Sequence, residues 1–389
     1  MTGKCWSCGR ADPQPFYRLE RIPISSCVLL DSQAEARGFP RGELELAFCE
    51  GCGFIQNSLF DPALLDYSQD YEESQGFSPT FGAFAQGLVD RLVERYDIAG
   101  KKVFEIGCGK GDFLSLLCKT GQNRGLGIDP GYRAGRLAPE IDAKVIAELF
   151  TEPGPELTGD LICCRHTLEH IQPVGEFLSL VRKSAEQTVG SVTFFEVPDT
   201  WRILQEGAFW DVYYEHCSYF TLGSLGRLFR RNGFDLASLR TGYGDQYLLL
   251  EAKISDGRSS NAFPGEDDLE AVRSAVRSFV ETTREAMRGW DRRLSEAAAS
   301  GKKIVIWGAS SKGVAFLTSL ESGGTVEYAV DINPYKQGRF MPGAGQEIVG
   351  PSFLKDYAPD LVVVMNSIYL EEIRGDLAKL GLKPEMLAV

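Results

Sequence analysis

The stretch Val103-Phe-Glu-Ile-Gly-Cys-Gly-Lys-Gly111 decides the fold that we expect for the middle of this chain. Its apolar first residues predict a buried strand, and Glu105 lies near the end of that strand. The glycines that follow predict a tight turn, because a residue without Cβ lets the backbone approach a ligand closely before a helix begins. Such a pattern is typical of the ligand-binding edge of an open α/β sheet.

A second carboxylate ends the next predicted strand, in Gly127-Ile-Asp-Pro130. It stands where a ribose diol would be hydrogen-bonded. In a dinucleotide site the first strand more often runs straight into its glycines, without a preceding Glu. We therefore predict S-adenosylmethionine rather than a nicotinamide cofactor, with a turn used only for packing as the alternative. The predicted cofactor-binding residues are Glu105, Gly107, Gly109, Asp129 and Pro130.

Two Cys-x-x-Cys pairs, each followed by a glycine, lie near the start of the chain: Cys5-Trp-Ser-Cys8-Gly9 and Cys49-Glu-Gly-Cys52-Gly53. A gap of two residues lets one turn supply two thiolates to the same ion. We predict that Cys5, Cys8, Cys49 and Cys52 hold a structural zinc ion, with no open position left for catalysis. A redox dithiol is the alternative. The other six cysteines are interpreted as small buried side chains.

Predicted strands and helices alternate through the rest of the chain. Strands are predicted at Lys102–Ile106, Arg124–Ile128, Leu161–Cys164, Val192–Val197, Tyr247–Ala252, Lys303–Trp307, Tyr328–Asp331 and Leu361–Met365. The alternation favours mainly parallel, doubly wound sheets, with Phe234–Leu239 in an antiparallel edge pair. A long helix with an apolar stripe from Leu269 to Leu294, stopped by Gly301, is expected between the two alternating units.

We therefore expect an α/β protein of three domains, since 389 residues exceed a single hydrophobic core. Residues 1–75 would form a zinc-binding domain, residues 76–255 a Rossmann-like class I methyltransferase domain, and residues 256–389 a smaller Rossmann-like α/β domain. The stretch 255–266 contains the glycine, proline and polar residues of a linker.

The composition limits the partners of this chain. A net charge of −13 disfavours nucleic acid and anionic membranes, which both need a cationic surface. No run of about 18 apolar residues predicts a membrane span, and the first residues have no apolar core of the signal-peptide kind. We expect a cytoplasmic protein, monomeric or dimeric, that acts on a small molecule.

The chain has only three histidines, His166, His170 and His216. His216 follows Tyr213 and Glu215 in a loop after a predicted strand, at the edge where open α/β sheets bind ligands. Imidazole takes up a proton near neutral pH, and a neighbouring carboxylate can orient it and support its charged form. We predict His216 as a general base with Tyr213 and Glu215 as companions. His166 is predicted to face the pocket, and His170 to pack or cap beneath it.

The turn Gly308-Ala-Ser-Ser-Lys-Gly313 opens the last predicted unit with backbone N–H groups, two hydroxyls and an ammonium ahead of a helix. This arrangement suits a phosphate group, so Ser310, Ser311 and Lys312 are predicted to bind the substrate. The turn lacks the spacing of a Walker motif. Binding of a separate cofactor, or packing alone, are the alternatives.

Taken together, these residues resemble the three-domain, zinc-containing, S-adenosylmethionine-dependent C-methyltransferases that act on nucleotide-linked deoxysugars. The likeness covers the cysteine quartet, the glycine turn, the Tyr213-x-Glu215-His216 set, the turn at 308–313 and Val330-Asp-Ile-Asn-Pro334. The chain departs from the family pattern at Tyr214, where many members have His. It departs again at Tyr243-Gly-Asp-Gln246, where many have Gly-Gly-Ser.

The resemblance implies a nucleoside-diphosphate 4-keto-6-deoxy sugar that is methylated at carbon 3. The residue that matches His216 would be the base, and tyrosines near the zinc domain, here Tyr67 and Tyr71, would line the sugar pocket. Two other functions stay open. One is O- or N-methylation of another small metabolite on the same scaffold, and the other is a zinc-bearing binding module on an inactive core.

Overall fold

The computed structural model describes residues 3–10, 12–65, 71–257 and 261–389. The strands, numbered in chain order, are β1 Gln14–Pro23, β2 Arg41–Phe48, β3 Ile55–Asn57, β4 Lys102–Ile106, β5 Arg124–Ile128, β6 Ala143–Ile146, β7 Leu161–Arg165, β8 Val192–Pro198, β9 Ser218–Tyr219, β10 Phe234–Gly242, β11 Tyr247–Ile254, β12 Ile304–Trp307, β13 Tyr328–Val330, β14 Glu347–Val349, β15 Leu361–Val364 and β16 Glu385–Ala388. The α-helices are α1 Gln33–Arg37, α2 Pro79–Tyr96, α3 Asp112–Gly121, α4 Val174–Ala185, α5 Thr200–Glu206, α6 Leu222–Arg231, α7 Leu269–Ala299, α8 Ser311–Ser319, α9 Leu354–Tyr357 and α10 Leu370–Lys379.

These strands form three sheets, which confirm the predicted α/β fold class. The first sheet is antiparallel, in the order β1-β2-β3-β9. The second has the order β10-β11-β8-β7-β4-β5-β6, with β4 to β8 parallel and β10 and β11 as the predicted antiparallel edge pair. The third, β14-β13-β12-β15-β16, is parallel throughout.

In the second and third sheets, later strands lie on both sides of the first strand, so the strand order changes direction there. In the second sheet β4 lies between β5 and β7, and in the third β12 lies between β13 and β15. The carboxyl ends of neighbouring strands diverge at such a point and leave a crevice for a ligand. The glycine turn after β4 and the turn at 308–313 after β12 both lie at these positions.

Some strands were not expected from the sequence. β6 is a short edge strand with no buried residue, and β9 has only two residues. Neither has room for an alternating apolar pattern, so hydrophobic periodicity does not indicate them. The three predicted domain ranges stay predictions. Within the predicted linker, Glu266 is buried and accepts a 2.8 Å hydrogen bond from Arg230.

The short strand β9 connects the part of the chain that forms the second sheet to the first sheet. Its Tyr219 pairs with Ile55 and its Ser218 with Gln56 of β3. Because β9 directly follows the loop that carries Tyr213, Glu215 and His216, this pairing fixes the end of that loop against the cysteine-bearing unit.

The long helix α7 packs against both the first and the third sheet. Its Phe279 contacts the ring of Tyr17 with centroids 5.0 Å apart, and its Trp290 contacts Phe316 of α8 at 5.2 Å. The predicted apolar stripe is largely confirmed, since Val272, Val276, Phe279, Thr283, Trp290 and Leu294 are all buried. Among the described residues, no helix combines the length and the apolar character needed to cross a membrane.

Tyr214 shows how the loop before β9 is anchored. Its side chain is 1% exposed, its ring lies 5.6 Å from that of Phe60, and its hydroxyl accepts a 2.9 Å hydrogen bond from the backbone N–H of Asp61. A Cβ at Gly42 would lie only 2.8 Å from the Tyr214 ring, so the two units are in close contact here.

We expect Tyr214→Ala to lower the free energy of unfolding by about 3–5 kcal/mol, because it removes a buried aromatic ring. Tyr214→Phe, which loses only the hydrogen bond, should cost about 1 kcal/mol. Thermal and denaturant unfolding measure both, with the half-exposed Tyr335→Ala as the control. Equal stability of Tyr214→Ala and the control would contradict this packing role.

Candidate active site

One cavity of about 760 Å³ brings together residues that follow strands of both parallel sheets. The second sheet contributes the glycine turn, Asp129 and the histidine-bearing segments, and the third contributes the turn at 308–313. Tyr71 and Cys27 reach the cavity from the first unit. The predicted cofactor, base and phosphate residues therefore share one space, although the sequence separates them by as much as 200 positions.

The glycine turn after β4 has a backbone that disfavours other residues. Gly107 and Gly109 have φ angles of +69° and +53°. A Cβ at Gly107 would lie 2.0 Å from Oγ1 of Thr167, and one at Gly109 would lie 2.6 Å from Oε1 of Glu73. Glycine is therefore required both by backbone conformation and by space.

Asp129 ties this turn to the end of β5. Its Oδ2 accepts a 2.9 Å hydrogen bond from the N–H of Gly109, and its Oδ1 accepts one of 2.7 Å from the N–H of Gly131. Both Asp129 and Pro130 line the cavity. The carboxylate thus stands beside the turn at the edge where a ribose diol was predicted.

Glu105 and Arg165 both bring hydrogen-bonding atoms without a partner to the cavity wall. Oε2 of Glu105 and Nη2 of Arg165 are buried without a partner among the described residues. Burial raises the pKa of Glu105 to about 8, against the opposing effect of Arg165. Arg165 also stacks over Phe113 at 4.0 Å and donates from Nε to Glu196 at 2.7 Å. An orphaned acceptor and donor side by side fit the ammonium and carboxylate of an amino acid, as in S-adenosylmethionine.

We expect Asp129→Ala to weaken the binding of S-adenosylmethionine about ten- to hundredfold, since it removes charged acceptors and loosens the glycine turn. Isothermal titration calorimetry measures the change. Asp142→Ala, an exposed aspartate next to β6, is the matched control and should bind as the wild type does. Unchanged binding by Asp129→Ala would mean that the cofactor lies elsewhere.

His216 lines the cavity and is 6% exposed. Its ring lies 4.2 Å from the ring of Tyr213 and 4.8 Å from that of His170, measured between centroids. Burial, together with the positive charges of His170, His166 and Lys312, lowers the pKa of His216 well below its ordinary value. The imidazole is therefore neutral at pH 7, which is the form that a general base needs.

Glu215 differs from the prediction that it orients the ring of His216. Its carboxylate accepts hydrogen bonds from the Ser25 hydroxyl at 2.9 Å, from the Ser26 N–H at 2.9 Å and from the Ser26 hydroxyl. The physical reason is that the segment after β1 supplies three donors to a buried carboxylate. Glu215 thus anchors the loop on the first unit, and its carboxylate is absent from the cavity lining.

The sequence did not indicate the acid–imidazole cluster, which we define as Glu169, His170 and His216. One carboxylate oxygen and one ring nitrogen from each histidine lie within 4.8 Å of one another. All three residues line the cavity. His170 also caps a backbone carbonyl, in line with the prediction that it packs or caps, since its Nδ1 donates a 3.0 Å hydrogen bond to the carbonyl oxygen of Glu215. Only the pairing of two distant loops creates the cluster, so no local pattern contains it.

His166 faces the cavity as predicted, with 26% of its side chain accessible. Burial would lower its pKa, but the carboxylates of Glu196, 3.0 Å away, and Glu169, 3.6 Å away, outweigh burial and raise the pKa to about 9. The imidazole is therefore a cation at pH 7. In this state it can stabilise a negative charge on a neighbouring atom, but it cannot accept a proton.

The turn at 308–313 places all three predicted substrate residues on the cavity. Nζ of Lys312 lies 3.0 Å from Oδ2 of Asp211 and 3.3 Å from Oε1 of Gln246. Nζ of Lys336 donates a hydrogen bond to the Ser310 hydroxyl. The turn thus offers hydroxyls and an ammonium at the start of α8, as the predicted phosphate site requires.

The two departures from the family pattern have different surroundings. Tyr214 is absent from the cavity lining, whereas Gln246 is part of it. Gln246 exchanges two 2.8 Å hydrogen bonds with Asn366, so the second and third sheets meet at this wall. Of the two predicted sugar-pocket tyrosines, Tyr71 lines the cavity, and Tyr67 lies outside the described residues.

The cysteine quartet is assembled as predicted and could hold zinc. The sulphurs of Cys5 and Cys52 lie 3.6 Å apart, as do those of Cys8 and Cys49. A tetrahedral ion with zinc–sulphur bonds of 2.3 Å needs about 3.8 Å between its sulphurs, whereas a disulfide needs about 2.05 Å. The donor set therefore fits a closed, structural zinc site.

We expect the purified protein to contain one zinc ion per chain by metal mass spectrometry. Cys52→Ser should lose most of this zinc and unfold at a lower temperature, because the metal stabilises a small unit with few other constraints. Cys118→Ser, a buried cysteine of α3, is the control and should keep the metal. A wild-type protein without metal, or with disulfides in its place, would contradict the assignment.

Comparison with known proteins connects these features to described families. Residues 81–239 match a methyltransferase domain, and residues 265–383 match a C-methyltransferase C-terminal domain. The first range contains the glycine turn and His216, and the second contains the turn at 308–313. The C-methyltransferase NovU of Streptomyces niveus is 27% identical over 388 residues, which cover 95% of this chain and 91% of that protein.

Solved structures align with smaller parts of the chain. Magnesium protoporphyrin IX methyltransferase from Synechocystis PCC 6803 with bound SAH has 17% identity and a TM-score of 0.38, and covers 48% of this chain and 91% of that one. The 1,6-didemethyltoxoflavin-N1-methyltransferase from Burkholderia thailandensis has 16% identity and a TM-score of 0.34, and covers 44% and 79%.

Proposed function

We propose that this chain, an S-adenosylmethionine-dependent methyltransferase of the C-methyltransferase type, methylates the carbon next to the ketone of a nucleoside-diphosphate 4-keto-6-deoxy sugar. The observation that carries the proposal is the shared cavity. It is lined by the glycine turn for the methyl donor, by a neutral imidazole at His216, and by the phosphate-type turn at 308–313. A methyl acceptor with an acidic C–H and a phosphate group matches the imidazole and the phosphate-type turn, and the glycine turn would hold the methyl donor beside it.

His216 starts the reaction by removing a proton. The C–H next to a ketone is acidified because the electron pair of the broken bond moves to the ketone oxygen and forms an enolate. The proton passes to the neutral ring of His216, which becomes an imidazolium. When bound, S-adenosylmethionine supplies an electrophilic methyl group for the enolate carbon. Glu105, Gly109 and Asp129 would hold it beside the base.

Two groups on the cavity wall can stabilise the negative oxygen of the enolate. Burial raises the pKa of Tyr213 well above its ordinary value, so its phenol stays protonated and can donate a hydrogen bond. His166 is cationic at pH 7 because its carboxylate neighbours raise its pKa. A donor and a cation in a buried cavity stabilise developing charge more than they would in water.

The nucleotide end of the substrate would lie against the third sheet. Ser310, Ser311 and Lys312 present hydroxyls and an ammonium at the start of α8, where helix N–H groups favour an anion. Lys312 pairs with Asp211 in this structure. We propose that a diphosphate competes with Asp211 for Lys312, which would couple substrate binding to the loop that carries the base.

We expect His216→Gln to lower the rate of proton removal at least about a hundredfold, because the variant has no group that can take up the proton. Thymidine- and uridine-diphosphate 4-keto-6-deoxy sugars are incubated with the enzyme in deuterium oxide, and exchange at carbon 3 is followed by NMR. Binding of S-adenosylmethionine by the variant, measured by calorimetry, controls for folding.

Methyl-labelled S-adenosylmethionine distinguishes carbon from heteroatom transfer, since a methyl group on carbon resonates far from one on oxygen or nitrogen. A product methylated on oxygen or nitrogen, formed also by His216→Gln, would replace the proposal with the heteroatom alternative. Exchange by His216→Gln at the wild-type rate would remove His216 as the base.

A further inference from the structure

We infer that Glu169 is the positioning carboxylate that stabilises the protonated ring of His216, the role that the sequence assigns to Glu215. This inference rests on the proposed function, in which His216 takes up a proton. Glu169 acts through the two histidines of the acid–imidazole cluster and need not touch the substrate's reacting carbon.

The position of Glu169 is the first support. Its residue is 2% exposed, and its Oε2 is buried without a hydrogen-bond partner among the described residues. Its Oε1 lies 3.6 Å from Nδ1 of His166. A carboxylate oxygen and the ring nitrogens of His170 and His216 lie within 4.8 Å of one another. A buried carboxylate therefore lies close to the ring that has to become charged, and one of its two oxygens has no partner among the described residues.

The backbone holds this arrangement in place. The carbonyl of Glu169 accepts a 2.9 Å hydrogen bond from the N–H of Cys217. Nδ1 of His170 donates a 3.0 Å hydrogen bond to the carbonyl oxygen of Glu215. The two segments are therefore joined on both sides of His216, and Glu169 cannot drift away from it without breaking these bonds.

The charges around His216 give the second support. His166, His170 and Lys312 oppose a positive charge on its ring. Other nearby carboxylates are engaged: Glu215 with Ser25 and Ser26, Glu196 with Arg165 and His166, and Asp211 with Arg202 and Lys312. Glu169 keeps one oxygen without a partner among the described residues, and it is the carboxylate that clusters with the ring nitrogens of His170 and His216. An opposite charge at this range favours a charged imidazole by one to three pKa units in folded proteins.

The same three side chains are also of the types that bind divalent cations. A metal ion on the ring nitrogen of His216 would occupy the electron pair that proton removal needs. If the cluster is a catalytic metal site, added zinc should speed up deuterium exchange. If Glu169 has the role inferred here, added zinc should slow exchange, so the experiment distinguishes the two.

The main test compares deuterium exchange by the wild type, Glu169→Gln and Glu169→Asp, in the presence of a chelator. Glu169→Gln keeps the size of the side chain and removes its charge, so we expect exchange about ten- to hundredfold slower, with little change in KM. Glu169→Asp should recover part of the rate. Glu251→Gln, a buried carboxylate paired with Arg91 and Arg95 away from the cavity, is the matched control and should exchange as the wild type does.

A second test needs no acceptor and stands apart from the proposed function. His216→Lys places an ammonium where the protonated base would be, since the ordinary pKa of lysine, about 10.4, favours the charged form far more than that of imidazole does. If Glu169 compensates that charge, the drop in Tm of the His216→Lys, Glu169→Gln double variant exceeds the sum of the single drops. Additive drops would overturn the inference even if proton exchange occurs.

The remaining outcomes are also decisive. Exchange by Glu169→Gln at the wild-type rate, with His216→Gln inactive, would overturn the inference and leave the proposed function intact. Exchange that added zinc increases, in protein that already holds one zinc ion per chain at the cysteine quartet, would replace it with a metal site. If the wild type introduces deuterium into none of the candidate sugars, the proposed function fails. The Tm values of the single and double variants at positions 216 and 169 still decide the inference.

Discussion

The arrangement of the active site depends on one interface, the docking of the loop before β9 onto the first sheet. The pairing of β9 with β3, the three hydrogen bonds to Glu215 and the burial of Tyr214 all fix this loop from the side of the cysteine-bearing unit. His216 lies between these anchors. The small cysteine-bearing unit therefore helps to set the position of the candidate base.

Burial of the site has an electrostatic consequence. Enclosing His216 among cationic groups keeps its imidazole neutral, which makes a proton acceptor available at pH 7 but disfavours the imidazolium that forms when it acts. A buried site that uses a base of this kind needs a compensating negative charge close by. Glu169 meets this need through its unused oxygen, while His166, already cationic, is suited to the negative oxygen of the acceptor.

Local patterns predicted the parts of the site that a single turn creates. The strand Lys102–Ile106, the glycines after it, Asp129 and the cysteine pairs were all found where the sequence placed them, because each has a recognisable local signature of spacing or hydrophobic pattern. The predicted role of Glu215 was wrong for the opposite reason. The side chain of Glu215 is long enough to reach in several directions. Its carboxylate hydrogen-bonds to Ser25 and Ser26 rather than to the adjacent His216, because the folded chain brings these distant serines close to it.

The sequence by itself determined the α/β class, the donor turn, the cysteine quartet and the candidate base, since hydrophobic periodicity, glycine requirements and ligand spacing are local properties. Only the tertiary structure decided which charges surround that base. Residues 169, 211, 216 and 312 come from distant parts of the chain, and all four line one cavity. Electrostatic interactions depend on distance in space and on burial, neither of which the order of residues along the chain specifies.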